Sequence, residues 1–168
     1  MVNNAGAARG AAFDKSVESG WDKFVDLNLK SPFFPTQALH GALMAGAARG
    51  HCAKVINIAS IDGVSVNSQE PCSYAASKAG LIHPTRRMAL RLVKVGIVVS
   101  AIAPGSCASD LNRLARDHRD ELAHAIPAGR NGIEDDMAGA SIYLASRAGD
   151  HGVGSTLVVD GGATLARV

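Results

Sequence analysis

Hydrophobic positions along this chain alternate between two rhythms. Trp21, Phe24, Val25 and Leu29 recur at helical spacing across 14–29, and a mostly apolar run over 33–44 continues as a second helical stretch. Residues 54–59 (Lys-Val-Ile-Asn-Ile-Ala) are short, rich in β-branched side chains and bounded by turn formers, as a buried strand is. A long stretch over 73–93, rich in Ala, Leu, Lys and Arg, predicts a helix that Gly96 closes. Residues 97–103 read as a second buried strand, stopped by Pro104 and Gly105. Leu111, Leu114, Ala115 and Leu122 mark one side of an amphipathic helix over 111–126. Residues 134–146 predict another helix, and 156–159 a last strand that ends at Asp160, Gly161 and Gly162. Residues 1–6 (Met-Val-Asn-Asn-Ala-Gly) look like the tip of a strand running into a loop.

Strands separated by helices need crossover connections, and these place parallel strands in one sheet with helices on both faces. Nearly continuous apolar strands agree with burial on both sides. The predicted class is therefore α/β with a doubly wound parallel sheet, and residues 1–168 are read as a single domain.

Composition narrows the function. The chain has 168 residues, 47% hydrophobic and 19% charged, which suits one soluble globular domain. A net charge of +2 gives no ground for a nucleic-acid partner. No run of 18 apolar residues exists and Asn3 and Asn4 are polar, so neither a membrane span nor a secretory leader is expected. Cys52, Cys72 and Cys107 are odd in number, far apart and without a CxxC, which argues against a disulfide framework and for a reducing, cytoplasmic setting. The histidines, His118 and His124 among them, form no clean ligand set, and no metal is expected.

Candidate chemistry gathers around Ser60, just past a predicted strand, where open α/β sheets bind ligands. Tyr74 and Lys78 follow, four apart and thus on one helix face. A carbonyl being reduced needs a proton donor, and an alcohol being oxidised needs a base. A nearby ammonium stabilises a phenolate and brings a tyrosine towards neutral pH, and a serine hydroxyl can bond the substrate oxygen as charge develops. The Tyr-x-x-x-Lys spacing recurs by chance in many helices, where it means two surface residues. Here it has ordered company: residues 3–6 (Asn-Asn-Ala-Gly), Asn28, the segment 57–60 (Asn-Ile-Ala-Ser), Pro104 with Gly105, and Asp160 with its two glycines.

With those motifs in that order, the chain resembles the short-chain dehydrogenase/reductase family over essentially its whole length. The segments 55–60, 101–105 and 109–112 resemble its β-ketoacyl reductase and gluconate-type dehydrogenase branches. The resemblance implies a Rossmann-like sheet and an oxidoreductase that uses NAD or NADP to interconvert a small-molecule ketone and a secondary alcohol. It implies that Tyr74 is the acid/base, that Lys78 also holds the nicotinamide ribose, that Ser60 orients the carbonyl and that Asn28 holds a relay water. Asn4, Ala5, Gly6, Pro104 and Gly105 would line the nicotinamide half of the cofactor site. It also implies a homo-oligomer built on the helices over 33–43 and 73–93, and a substrate lid after Pro104 in which Leu111 and Leu114 face either substrate or core.

The chain also departs from that pattern. It lacks the family's TGxxxGxG loop, whose glycines and helix N-terminus receive the pyrophosphate. Of the family's sheet it retains the tip of the fourth strand and the three strands after it. Such an incomplete domain implies weak cofactor binding, and two readings stay open: an enzyme of this family, or an inert truncated relative that at most associates with other chains. The chain itself is read either as a fragment or as a truncated gene product. Ser100 stands where the family often has Asn, and Pro35 and Pro84 fall inside predicted helices. Pro84 predicts a kink near Gly80–His83 rather than a break, because Leu81, Met88 and Leu92 keep one apolar face.

Overall fold

The computed structural model describes residues 1–8, 11–48, 50–66, 72–108, 112, 115, 117 and 123–166. Four strands, β1 (Val2–Asn3), β2 (Ala53–Ile58), β3 (Ile97–Pro104) and β4 (Thr156–Val159), lie side by side in chain order, and every pair is parallel. Each crossover carries helix. α1 (Glu18–Val25), α2 (Ser31–Ala38) and α3 (His40–Ala47) join β1 to β2, α4 (Cys72–Leu92) joins β2 to β3, and α5 (Glu134–Ala145) joins β3 to β4.

The two-residue alternation of a strand sorts the side chains into two layers. Val55, Ile97 and Val99 meet Met88 and Ala89 of α4, with Leu43 of α3 beside them. Ala59, Ala101 and Ala103 meet Ile82 on the same side. On the opposite face Ile56 and Ile102 pack against Leu144, Met137 and Ala140 of α5. Val55, Ile97, Val99 and Ile102 are fully buried, and each such side chain contributes about 1.5–3 kcal/mol relative to exposure. The doubly covered α/β sheet expected from the sequence is present.

The first crossover is less regular than the sequence suggested. The helix expected over 14–29 begins only at Glu18, after a separate 3₁₀ turn at Phe13–Lys15. Gly20 and Trp21 sit in its first turn, their N–H groups donating to Val17 O. Asp26–Lys30 is a π-helical turn, closed by Ser31 N–H donating to Asp26 O. That wider turn carries Asn28 fully inside while Asp26 and Lys30 pair outside at 2.6 Å. Such bulges occur frequently at functional sites. The run expected over 33–44 is divided at Leu39, whose φ of −89° and ψ of 6° leave helical geometry for one residue.

α4 runs unbroken for 21 residues with Pro84 inside it. Its buried stripe of Leu81, Ile82, Thr85, Met88 and Ala89 carries the helix past the missing N–H. A 3₁₀ turn then ends at Gly96, whose φ of 77° is left-handed. Pro35 lies in α2 at an exposed position. Ser100 is buried, and its hydroxyl donates to Gly152 O at 2.8 Å, so the polar group is satisfied. Most of the helix expected over 111–126, with Leu111, Leu114 and Leu122, lies outside the described residues; Ala115 and Ile126 are buried.

Pro84 gives the first prediction. A proline in a helix interior costs up to about 3 kcal/mol, so Pro84→Leu should raise stability by roughly 1–3 kcal/mol. Denaturant melts of the two proteins measure it, and an unchanged or lower stability would contradict the assignment.

Candidate active site

Ser60 follows β2 by two residues, and its Oγ accepts the N–H of Asp62 at 3.2 Å, capping a short 3₁₀ turn at Ile61–Gly63. That turn is pressed onto α4. A Cβ at Gly63 would lie 2.6 Å from the carbonyl carbon of Lys78, so only glycine permits the approach. The contact brings Ser60 against the first turns of α4, where its hydroxyl and that of Tyr74 hydrogen-bond.

Lys78 stands one turn further along α4 and is 5% exposed. Its Nζ donates to Ile58 O at the end of β2, at 2.7 Å, and lies 5.8 Å from the centre of the Tyr74 ring. Phe24 of α1 meets that ring edge-on at 6.4 Å. Burial lowers the Lys78 ammonium to about 8. Burial also holds the Tyr74 phenol above its usual value; the bond from Ser60 opposes this and the charge of Asp62 adds to it. The sequence pointed to a phenol drawn down by the ammonium, and burial acts on Tyr74 in the opposite direction.

Asn28 sits beneath the pair. Its Oδ1 accepts from Ala7 N–H at 3.0 Å, and its Nδ2 donates to Ala7 O at 3.1 Å and to Ser77 Oγ at 3.0 Å. Ser77 passes its own proton to Tyr74 O at 2.7 Å. Both amide hydrogens are engaged, so the Asn28 side chain is a strut between the loop after β1 and α4. Ser77 was not singled out from the sequence, although its place three residues after Tyr74 and next to Lys78 was a signal.

The remaining expected positions surround this cluster. Asn4 and Ala5 are exposed on the loop after β1. Gly6 lies closest in: a Cβ there would be 3.2 Å from Asn28 Oδ1 and 3.7 Å from Lys78 Nζ. Pro104 ends β3, and Gly105 abuts Asp160, where a Cβ would fall 2.7 Å from the Asp160 Cα. The structure thus joins Gly6, Asn28, Ser60, Tyr74 and Lys78 through contacts, and sets Pro104 and Gly105 at the C-terminal end of a neighbouring strand.

This donor set fits the ribose end of a nicotinamide dinucleotide. An ammonium has three hydrogens, and among the described residues Ile58 O is the one acceptor bonded to Lys78 Nζ. Gly6 borders that ammonium, where a Cβ would lie 3.7 Å from Lys78 Nζ. Among the described residues no group of three His, Cys, Asp or Glu could hold a metal ion, and no helix is long and apolar enough to cross a membrane.

Residues 1–164 match the family described as Enoyl-(Acyl carrier protein) reductase. The chain is 41% identical over 165 residues to 2-dehydro-3-deoxy-D-gluconate 5-dehydrogenase of Escherichia coli, covering 96% of this chain and 64% of that protein. It is 38% identical to the rhamnolipids biosynthesis 3-oxoacyl-[acyl-carrier-protein] reductase of Pseudomonas aeruginosa, with the same coverage. Among solved structures, an NADP active-site complex of RhlG from Pseudomonas aeruginosa superposes with a TM-score of 0.91 at 37% identity, over 97% of this chain and 65% of that one. A gluconate 5-dehydrogenase of Burkholderia cenocepacia, in complex with NADP and tartrate, gives 0.88 at 37% identity, over 99% and 64%. The chain therefore spans about 64% of the length of the curated relatives it matches.

Burial of Lys78 makes stability depend on pH. Its ammonium is disfavoured in the folded state, so folding is penalised below about 8 and the penalty is relieved as pH rises from about 8 to 10.5. Lys78→Met should remove that dependence, with a gain on the order of 1–3 kcal/mol at pH 7 that vanishes near the top of the window. Denaturant melts at several pH values test this, and an equal slope in both proteins would refute it.

Proposed function

The chain belongs to the short-chain dehydrogenase/reductase family, and on that footing we propose that it carries the proton-transferring part of an NAD(P)-dependent site that interconverts a small-molecule ketone and a secondary alcohol. The observation that carries this is the contact of Ser60, Tyr74 and Lys78 at the C-terminal edge of the sheet.

Tyr74 gives its hydroxyl proton to the carbonyl oxygen in reduction and takes it back in oxidation. Ser60 bonds the same oxygen and steadies the charge that develops on it. Lys78, fixed by Ile58 O, offers its remaining N–H groups to the ribose hydroxyls, and Asn4, Ala5, Gly6, Pro104 and Gly105 line the nicotinamide side. The dinucleotide, when bound, supplies or accepts the hydride. The Asn28 side chain is engaged with Ala7 and Ser77, so both of its amide hydrogens are taken before any relay water reaches it. The cytoplasm is the proposed setting.

A second reading has its own support: α2, α3 and the residue between them expose Phe33, Phe34, Leu39 and Met44. In that reading the chain is an inert relative that associates with other chains through these helices and α4. The same surfaces would build a homo-oligomer of an active protein.

Two measurements separate these readings. Without a glycine-rich phosphate loop, the 168-residue chain should bind NADH or NADPH with a dissociation constant of about 1 mM or weaker; calorimetry that finds micromolar binding would refute this. Reduction of keto-acid and β-keto ester substrates is then assayed in this chain, and in the chain joined to the front third of a solved relative. Tyr74→Phe should lower kcat by roughly 1,000-fold or more, because the proton donor is gone. Wild-type turnover in that variant would sink the assigned roles.

A further inference from the structure

Four buried or half-buried polar side chains meet at one node below the site. Asn57 of β2 and Thr85 of α4 are fully enclosed. Asn57 Nδ2 donates to Thr85 Oγ1 at 2.8 Å, and Thr85 sends its own proton to Leu81 O at 2.8 Å. Asn57 Oδ1 accepts from Asn3 Nδ2 at 2.7 Å. Asn3 Nδ2 also lies 3.3 Å from Thr36 Oγ1, whose proton goes to Pro32 O at 2.7 Å. The donors therefore run one way, from β1 through β2 to α4.

Each member sits next to part of the site. Asn3 precedes the loop of Asn4, Ala5 and Gly6. Asn57 precedes Ile58, whose carbonyl receives Lys78 Nζ. Thr85 is seven residues beyond Lys78, two turns along the same helix face. Thr36 lies in α2, which continues directly from the π-helical turn bearing Asn28. α4 is thus fastened to β2 at two points on one face, by Lys78 on Ile58 O and by Thr85 on Asn57. A helix held at one point can slide or roll on a strand of apolar side chains, whereas two directed bonds set its register.

We infer that Asn57 and Thr85 are positioning residues, which hold α4 in one register on β2 so that Lys78 Nζ meets Ile58 O beside Tyr74. They touch neither substrate nor cofactor and act through Lys78. Pro84 adds to the need for them. It removes a backbone bond one residue before Thr85, at the point where the helix would otherwise yield.

The inference rests on the reading of Lys78 as part of the site, and its test is independent of turnover. The 168-residue chain is acetylated with acetic anhydride across a pH series, and the midpoint for Lys78 is read by peptide mass spectrometry against the exposed lysines. Thr85→Val keeps the shape and removes the hydroxyl. Its Lys78 midpoint should rise by about one pH unit as the ammonium loses its enclosed place. Thr85→Ser, which keeps the hydroxyl, should restore the original midpoint. Should Thr85→Val not fold, Asn3→Ala breaks the node from its half-buried end and should move the midpoint the same way. An unchanged Lys78 midpoint in the folded Thr85→Val protein, or in Asn3→Ala where that variant does not fold, overturns the inference. Loss of turnover in Tyr74→Phe speaks to the site alone, and the Lys78 midpoint to the node alone.

Discussion

An asparagine amide taken out of water must find partners for both its oxygen and its nitrogen, and Asn57 meets that requirement at the centre of this fold. It has no exposure, and its carbonyl and amino groups reach in opposite directions, to Asn3 and to Thr85. An unmade bond at such a place costs about 1–3 kcal/mol, comparable with losing a buried aliphatic contact. Apolar packing of Val55 and Val99 under α4 supplies cohesion but little direction, since hydrophobic burial is proportional to area. The directed bonds are what distinguish one placement of α4 from its neighbours.

The proposed chemistry depends on the same helix. Lys78 is charged at neutral pH although nearly enclosed, which is unfavourable by itself. The bond to Ile58 O and the face of the Tyr74 ring offset part of that cost. Burial acts on the two partners in opposite directions, lowering the ammonium and raising the phenol. Asn28 completes the frame: the π-helical turn swings it inward, where it ties the loop of Gly6 to the helix of Tyr74 through Ser77.

Much of this was legible in the residues. Alternation and helical spacing placed β2, β3, β4, α4 and α5 close to where they lie, because each has a mostly apolar or helix-favouring run bounded by turn residues. Ser60, Tyr74 and Lys78 stood out because their types, spacing and order suit the proposed proton transfer. The less legible parts have local causes. No apolar spacing announces a π-helical turn, since the extra residue changes which side chain faces inward. Pro84 broke a propensity rule, yet α4 continues, since buried Leu81, Thr85, Met88 and Ala89 hold it on both sides of the proline. The amide inside the apolar run 55–59 was itself a signal: Asn57 in a buried run has to have a partner.

The sequence by itself determined the class of fold, the order of its elements and the set of reactive groups, because periodicity and residue type are properties of the chain. Only the tertiary structure decided what those groups do to one another. Whether Lys78 draws Tyr74 down, and whether Asn28 has a hydrogen left for a water, depend on distances and on the exclusion of solvent. Both of these arise when β2, α4 and the loop after β1 close on one another, and neither is written in the spacing of residues.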